Sequence, residues 1–261
     1  MPDLSVIILS YNTKNTTKNC LEKLHDSLNS SNISSEIIIV DNESKDGSVE
    51  MIKKTLQKSN PKIVYKALFN KKNNGFAKGN NQGLKITNGK NILFLNSDVL
   101  IENIDWDSLI SYFNQNTNIG ALTVKVNLTD GNIDPASHRG FPTVWNSFTY
   151  YSKLEKIFGR IPLLNKIFGG YHLKNLNLDT IHEIDSPSGA FYLTPKKLMD
   201  KLMGFDDKTF FLYGEDLDLS YRIKQLGFKI LYYPKFSVLH LKSISGLKKN
   251  DSKIKNEARR H

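Results

Sequence analysis

Several stretches of the chain combine residue types and spacings suited to chemistry. In NILFLNSDVL the apolar run 92–95 leads directly into Asn96, Ser97 and Asp98, so a buried strand delivers a carboxylate at its tip. That triplet is either an ordinary turn or the end of a rod holding Asp98 towards a ligand. In IIIVDNESKDGS, Asp41 stands just past a second apolar run. A carboxylate there can close an Asx-turn or accept hydrogen bonds from a ribose or a base. NNGFAKGNNQG puts Gly75, Gly79 and Gly83 four residues apart. On a helix this clears one face for close approach of a backbone or ligand; otherwise the stretch is a flexible loop. FFLYGEDLDLSYR opens a helix with Glu215, Asp216 and Asp218. The helix dipole alone favours acids there by roughly 0.3–1 kcal/mol each, and one of them could also serve as a general base. Glycosidases set two carboxyl groups about 5–10 Å apart across the scissile bond. Adjacent helical residues point about 100° apart and cannot make that clamp. His240, in VLHLKS, is either a hydrogen-bonded strand-end side chain or a ligand.

The elements that must position these residues alternate along the first 125 positions. SVIIL (5–9), EIIIV (36–40), KIVYKAL (62–68), ILFL (92–95) and IGALTVKV (119–126) read as strands. Between them, Cys20, Leu21, Leu24 and Leu28 recur at helical spacing, as do Val49, Ile52 and Leu56 after an Asp46 cap, and a further helix is expected near 105–116. Continuous apolar strands separated by amphipathic helices imply an α/β protein with a parallel sheet covered on both faces. Ligands bind such sheets at the carboxyl ends of the strands, where Asn12, Asp41 and Asp98 all fall. From 128 to 183 the pattern lapses into a hairpin, a loop and an aromatic, basic stretch. It resumes with a helix start at Thr194-Pro195, a helix closed by Gly227 and a late strand, KILYY (229–233). A dehydrogenase is excluded, because SYNTKNTTKNC has no glycine where a GxGxxG would stand.

Composition bounds the rest. Charged residues make up 24% and hydrophobic residues 39%, ordinary for a globular protein. No apolar run approaches the roughly 18 residues of a membrane span, and MPDLSVIILSYN reads as a first strand rather than a signal peptide. The single cysteine, Cys20, fits a cytoplasmic protein without disulfides. Net charge is +10, and the last twenty residues hold seven basic and two acidic side chains. Such a tail suits an anionic partner or is simply solvated. The basic residues are not interleaved with aromatics in a nucleic-acid-binding pattern, so no nucleic-acid partner is expected. Residues 145–174 mix aromatics and aliphatics with Lys153, Lys156, Arg160 and Lys166. They would suit peripheral contact with the inner face of a membrane together with the tail, a lid, or a contact in a homodimer.

VIILSYN (6–12), IIIVDNESKDGS (37–48), NNGFAKGNN (73–81), LFLNSDV (93–99), SGAFYL (188–193) and FFLYGEDLDLSYR (210–222) resemble, in order and spacing, the family 2 glycosyltransferases. The resemblance covers about residues 4–243. It implies a GT-A fold with a nucleotide-binding half (1–126) and an acceptor-binding half (127–243), followed by a basic tail (244–261). It further implies transfer of a sugar from a nucleotide-sugar donor to a saccharide acceptor, with inversion and with Mg²⁺ or Mn²⁺. On this resemblance the donor contacts are Ser10, Tyr11, Asn12, Asp41, Asn74, Gly75, Lys78, Asn80, Asn96, Ser97 and Gly189. Asp98 is the metal carboxylate, joined by His240; Asp216 is the base, with Glu215 beside it. Asn96 departs from the family's frequent Asp-x-Asp. A neutral amide cannot share the cation's charge, so low metal affinity is expected without nucleotide. HRGFPTVWNSF together with FFLYGEDLDLSYR looks most like bacterial rhamnosyltransferases, which use dTDP-β-L-rhamnose on a lipid-diphosphate-linked acceptor in cell-surface polysaccharide synthesis. A UDP-hexose or UDP-N-acetylhexosamine donor is the alternative.

Overall fold

The computed structural model describes residues 1–58, 60–101 and 103–242; the basic tail 244–261 lies outside the described residues. In chain order the strands are β1 (Leu4–Ser10), β2 (Ser35–Asp41), β3 (Ile63–Phe69), β4 (Asn91–Asn96), β5 (Val99–Ile101), β6 (Ile119–Leu128), β7 (His182–Ile184), β8 (Phe191–Pro195) and β9 (Lys229–His240). The helices are α1 (Lys14–Asn29), α2 (Ser48–Thr55), α3 (Gly75–Leu84), α4 (Trp106–Gln115), α5 (Val144–Tyr151), α6 (Leu154–Phe158), α7 (Leu164–Phe168), α8 (Lys196–Leu202) and α9 (Glu215–Gln225).

The nine strands form one sheet in the order β3-β2-β1-β4-β8-β6-β9-β5, with β7 paired to β9. Strands β1 to β4 run parallel in register, Ser10 beside Asp41 and Leu9 beside Asn96. Alternation along each strand splits the apolar side chains between two faces. Val6, Ile8, Ile37, Ile39, Leu93 and Leu95 join one buried cluster with residues of α1, α2 and α4. Ile7, Ile38, Val40, Ile92 and Phe94 join the other, with residues of α3, α8 and α9. Burial on both faces is why these strands read as unbroken apolar runs.

The sheet departs from the expected pattern in three places. IGALTVKV does not lie beside ILFL, because β8 inserts antiparallel between β4 and β6. Strand β5, three residues immediately after Asp98, pairs antiparallel with the end of β9; it is too short to show a period in sequence. The late strand continues to His240 instead of stopping at Tyr233. Val124 faces Tyr233 and Lys125 faces Ser237, so Pro234, Lys235 and Phe236 bulge out of the ladder. Proline cannot donate to a ladder, and a bulge removes that demand.

Helix α2 is capped by Gly47 rather than Asp46. The Asp46 carboxylate instead accepts from Ser48 N at 3.1 Å and from Lys14 N at 2.8 Å, joining the first turns of α1 and α2. The buried face of α2 centres on Met51, Ile52 and Thr55, with Val49 and Leu56 only half-buried. Glycines of α3 do clear one helix face. A Cβ on Gly79 would meet Leu9 Cδ1 at 2.4 Å and one on Gly83 would meet Ile7 Cγ2 at 2.7 Å, so α3 lies directly on β1. Residues 144–168, which show no clear period, form the three short helices α5, α6 and α7. Among the described residues no helix is long and apolar enough to cross a membrane.

Candidate active site

The parallel strands end along one rim, and a cavity of about 660 Å³ opens there. Tyr11 after β1, Asn96 at the end of β4 with Ser97 and Asp98 beyond it, and Gly75 at the start of α3 line one side. Gly189 before β8, Glu215 and Asp216 at the start of α9, and His240 at the end of β9 line the other. Asp98 and Asp216, remote in sequence, therefore share one cavity.

Six buried side-chain polar atoms lack a hydrogen-bond partner among the described residues. Four of them belong to Asp41, Asp98, Arg139 and Glu215, at or just behind this rim. Buried polar groups are normally paired, so such a concentration marks a place prepared for a ligand.

Asp98 is 1% exposed. His240 Nε2 lies 3.2 Å from Asp98 Oδ1, but without hydrogen-bond alignment, which leaves that oxygen unpartnered. The other ring nitrogen, His240 Nδ1, is 2.8 Å from Asp134 Oδ2, and Lys242 Nζ is 3.0 Å from Asp134 Oδ1. Burial would lower the His240 pKa, but Asp134 and Asp98 outweigh it and raise the value to about 9. Burial likewise opposes ionisation of Asp134, yet bonds to His240 and Lys242 hold it down at about 2. With its pKa raised to about 9, His240 carries a proton on Nε2 at pH 7, so a divalent ion would bind by displacing it, with the Asp134 carboxylate behind Nδ1 keeping the ring in place. One carboxylate oxygen without a partner, beside an imidazole nitrogen so oriented, is a donor pair that fits a divalent ion. Among the described residues there is no cluster of three or more His, Cys, Asp or Glu suited to a metal. Further ligands would have to be oxygens of a substrate or water.

Helix α9 enters the cavity through two successive left-handed residues, Tyr213 (φ 69°) and Gly214 (φ 95°). Tyr213 is a non-glycine in a strained conformation, of a kind that clusters at functional sites. Arg139 Nη2 donates to Asp216 Oδ2 at 2.7 Å, and Leu217 N donates to Asp216 Oδ1 at 2.8 Å. Arg139 is itself held by its carbonyl, which accepts from Asp185 N and Ser186 N. Burial, reinforced by the neighbouring Asp216, pushes the Glu215 carboxyl up to about 8. Burial thus favours its neutral form, which can donate a hydrogen bond.

Six of the sequence-assigned donor residues do not line the cavity. Ser10 is buried in a hydroxyl network with Thr13 and Thr17. Asn12 (φ 53°) accepts from Lys45 N at 2.7 Å, forming part of a loop-to-loop tie. Asp41 Oδ1 accepts from Ser44 N, an Asx-type turn, while its Oδ2 is buried and unpartnered. Asn80 is buried and donates to Phe76 O within its own helix. Asn74 lies 3.5 Å from Gln82 Oε1, and Lys78 is exposed on α3. A helix start or strand end places a residue near a rim, but local hydrogen bonds decide which way its side chain turns. The cavity also contains residues the sequence reading passed over: Asn42, Asn73, Phe76, Asp134, Arg139, Tyr213 and Lys242. Arg139 stands in the HRGF motif; Asp134, in NIDPAS, carries no local signal because its partner His240 is distant in sequence.

Residues 5–172 match the family described as Glycosyl transferase family 2, and the chain belongs to that family. The match ends before α9, so the Glu215–Asp216 end of the cavity rests on its own geometry. The chain is 24% identical over 234 residues to the Low-salt glycan biosynthesis hexosyltransferase Agl10 of Haloferax volcanii, covering 88% of this chain and 64% of that protein. It is 28% identical over 131 residues to the Minor teichoic acid biosynthesis protein GgaB of Bacillus subtilis, covering 49% of this chain and 14% of that one. This chain thus spans less than two thirds of either relative. Among solved structures, a Pyrobaculum calidifontis mannosyltransferase in complex with GDP-Man and Mn²⁺ aligns with TM-score 0.60 at 15% identity, covering 95% of this chain and 58% of that one. GalNAc-T7 with UDP, GalNAc and Mn²⁺ aligns with TM-score 0.66 at 15% identity, covering 92% and 44%. These likenesses establish the fold, an α/β GT-A sheet, mostly parallel.

Proposed function

We propose that the chain is an inverting glycosyltransferase that moves a sugar from a nucleoside-diphosphate donor to a hydroxyl of a saccharide acceptor. The observation that carries this reading is the meeting of Asp98 with His240, and of Asp216 with Arg139, around one cavity. Asp98 and His240 would hold a divalent cation, and the pairing of oxygen with imidazole suits Mn²⁺ better than Mg²⁺, which prefers oxygen ligands throughout. When bound, the cation supplies charge neutralisation for the departing diphosphate. Asp134 keeps His240 oriented, and Arg139 keeps Asp216 Oδ2 directed at the acceptor side. Asp216 takes the proton of the acceptor hydroxyl as its oxygen bonds to the anomeric carbon, while the bond from that carbon to the nucleotide phosphate oxygen breaks. Glu215, whose neutral form burial favours, offers a hydrogen bond to a sugar hydroxyl. Gly75 and Gly189 let the cavity wall pack closely: a Cβ on Gly75 would run into Phe211, and one on Gly189 would meet the Phe76 ring at 2.7 Å.

For the donor we propose dTDP-β-L-rhamnose, on the resemblance of HRGFPTVWNSF to bacterial rhamnosyltransferases, with a lipid-diphosphate-linked saccharide of a cell-surface polysaccharide as acceptor. The relatives that act in teichoic acid and low-salt glycan biosynthesis support an acceptor of the cell-envelope class. A thermal-shift and hydrolysis screen of dTDP-rhamnose, UDP-hexoses, UDP-N-acetylhexosamines and GDP-mannose with Mn²⁺ tests the donor. Stabilisation by a UDP- or GDP-sugar but not by dTDP-rhamnose would overturn the rhamnose assignment and leave the transfer reaction standing.

A further inference from the structure

Seventeen large apolar side chains are exposed among the described residues, and nine of them fall between Val144 and Ile167. Val144 is 91% exposed, Tyr151 80% and Leu163 76%. Contiguous apolar exposure on this scale marks a contact surface. The segment holds its own shape nonetheless. Trp145 packs against Phe148 and Phe168, and Phe158 against Phe168, while Trp145 Nε1 donates to Ile167 O at 2.8 Å. Gly140 N donates to Tyr171 O at 2.9 Å and closes the neck of the excursion. Leu163 is held at φ 72°, a left-handed conformation costly for a bulky side chain.

The charges around these residues identify the partner. Exposed Lys156, Arg160 and Lys166 each immediately precede an exposed isoleucine, at 157, 161 and 167, and Lys153 adds a fourth exposed basic group. The sole acid from 141 to 174, Glu155, is buried and bound to His172 N and Nδ1 at 2.9 and 2.7 Å. A second copy pressed against this face would oppose four uncompensated cations to four more. The exposed aromatic rings, Trp145, Phe148, Tyr150 and Tyr151, precede the cations at 156, 160 and 166, which alternate with isoleucine and leucine that offer bases no stacking surface. Apolar side chains interleaved with lysine and arginine match instead the boundary between headgroups and acyl chains.

We infer that α5, α6 and α7 form a docking surface for an anionic lipid bilayer. Its neck begins one residue after Arg139, which lines the cavity. Resting on the transferase reading above, this places the acceptor side of the cavity beside the membrane and makes a membrane-borne acceptor the class served. The docking itself needs no nucleotide-sugar, so its test is independent of that reading.

The full-length protein is sedimented with vesicles of phosphatidylcholine alone and of phosphatidylcholine with phosphatidylglycerol. Binding to the anionic vesicles only, weakened by salt, is expected. Combined replacement Lys156→Glu, Arg160→Glu and Lys166→Glu should lower partitioning by roughly a hundredfold or more. Phe148→Ser with Ile157→Ser and Leu163→Ser should also release the protein, with circular dichroism reporting whether each variant keeps its fold. Should a variant misfold, the wild type still decides the matter. Trp106 is fully buried, so quenching of tryptophan emission by brominated phosphatidylglycerol must come from the other tryptophan, Trp145. Wild type left in the supernatant would overturn the proposal. So would vesicle binding without Trp145 quenching, which would assign the binding to the basic tail. Dimerisation that the apolar variant abolishes, with no vesicle binding, would assign the face to a second copy and overturn it equally.

Discussion

The two sides of the cavity are built by different means. On the β1–β4 side, Asn96, Ser97 and Asp98 are delivered by strand register: parallel neighbours fix where each chain leaves the sheet, and buried apolar residues on both faces fix the register. On the α9 side, side chains tie to one another across long stretches of chain: Arg139 to Asp216, Asp134 to His240, Lys224 to Asp185. The first side is a rigid shelf and the second a hydrogen-bonded assembly; on the proposed reading the first would carry the donor's phosphates and the second the reacting groups. Substitutions should therefore fail differently on the two sides.

The largest effect is expected at Asp216. Asp216→Asn should cost transfer roughly 10²–10⁴-fold, while donor binding by calorimetry stays near wild type; loss of donor binding as well would show that α9 belongs to the donor shelf. On the other side, Gly79→Val would drive a side chain into Leu9. Overpacking of this kind typically costs about 1–3 kcal/mol, read by urea denaturation, and a neutral result would mean that α3 is free to move off β1.

How far the sequence revealed these two sides follows from the same contrast. Asp98 and the glycines of α3 were legible because apolar runs and a fixed spacing are local signals. The cap of α2 was misplaced by one residue because Asp46 serves two helices at once, a role that only α1's arrival creates. Ser10 ends β1 and Asn80 lies within α3, but Thr13, Thr17 and Phe76 O take their polar atoms. Asp134 had no signal at all: it matters through His240 and Lys242, which the fold alone brings to it.

Asp134→Asn sharpens the comparison further. Second-layer partners of metal-binding histidines are typically worth about 10–100-fold in affinity, so Mn²⁺-dependent nucleotide binding should weaken by that factor without loss of fold. Unchanged Mn²⁺ affinity would remove His240 from the cation site. A further effect concerns stability beside β7. His138 Nε2 lies 2.7 Å from His182 Nε2, and burial, helped by repulsion from His182, depresses His138 to about 4. The unfolded chain binds this proton near pH 6.5 and the folded chain only near 4. Stability is thus complete above pH 6.5 and is lost as pH falls towards 4, by at most on the order of 3 kcal/mol. Replacing His138 with Phe should flatten that part of the pH profile of thermal unfolding; an unaltered profile would assign the acid sensitivity elsewhere.

The central claim is that Asp98 and Asp216 serve one cavity in separate roles, the first on the cation and the second on the acceptor. Calorimetric titration of nucleoside diphosphate into wild type, Asp98→Ala and Asp216→Asn, each with and without Mn²⁺, addresses it most directly. Mn²⁺ should strengthen binding to wild type and Asp216→Asn but not to Asp98→Ala. Equal Mn²⁺ enhancement in all three proteins would contradict it.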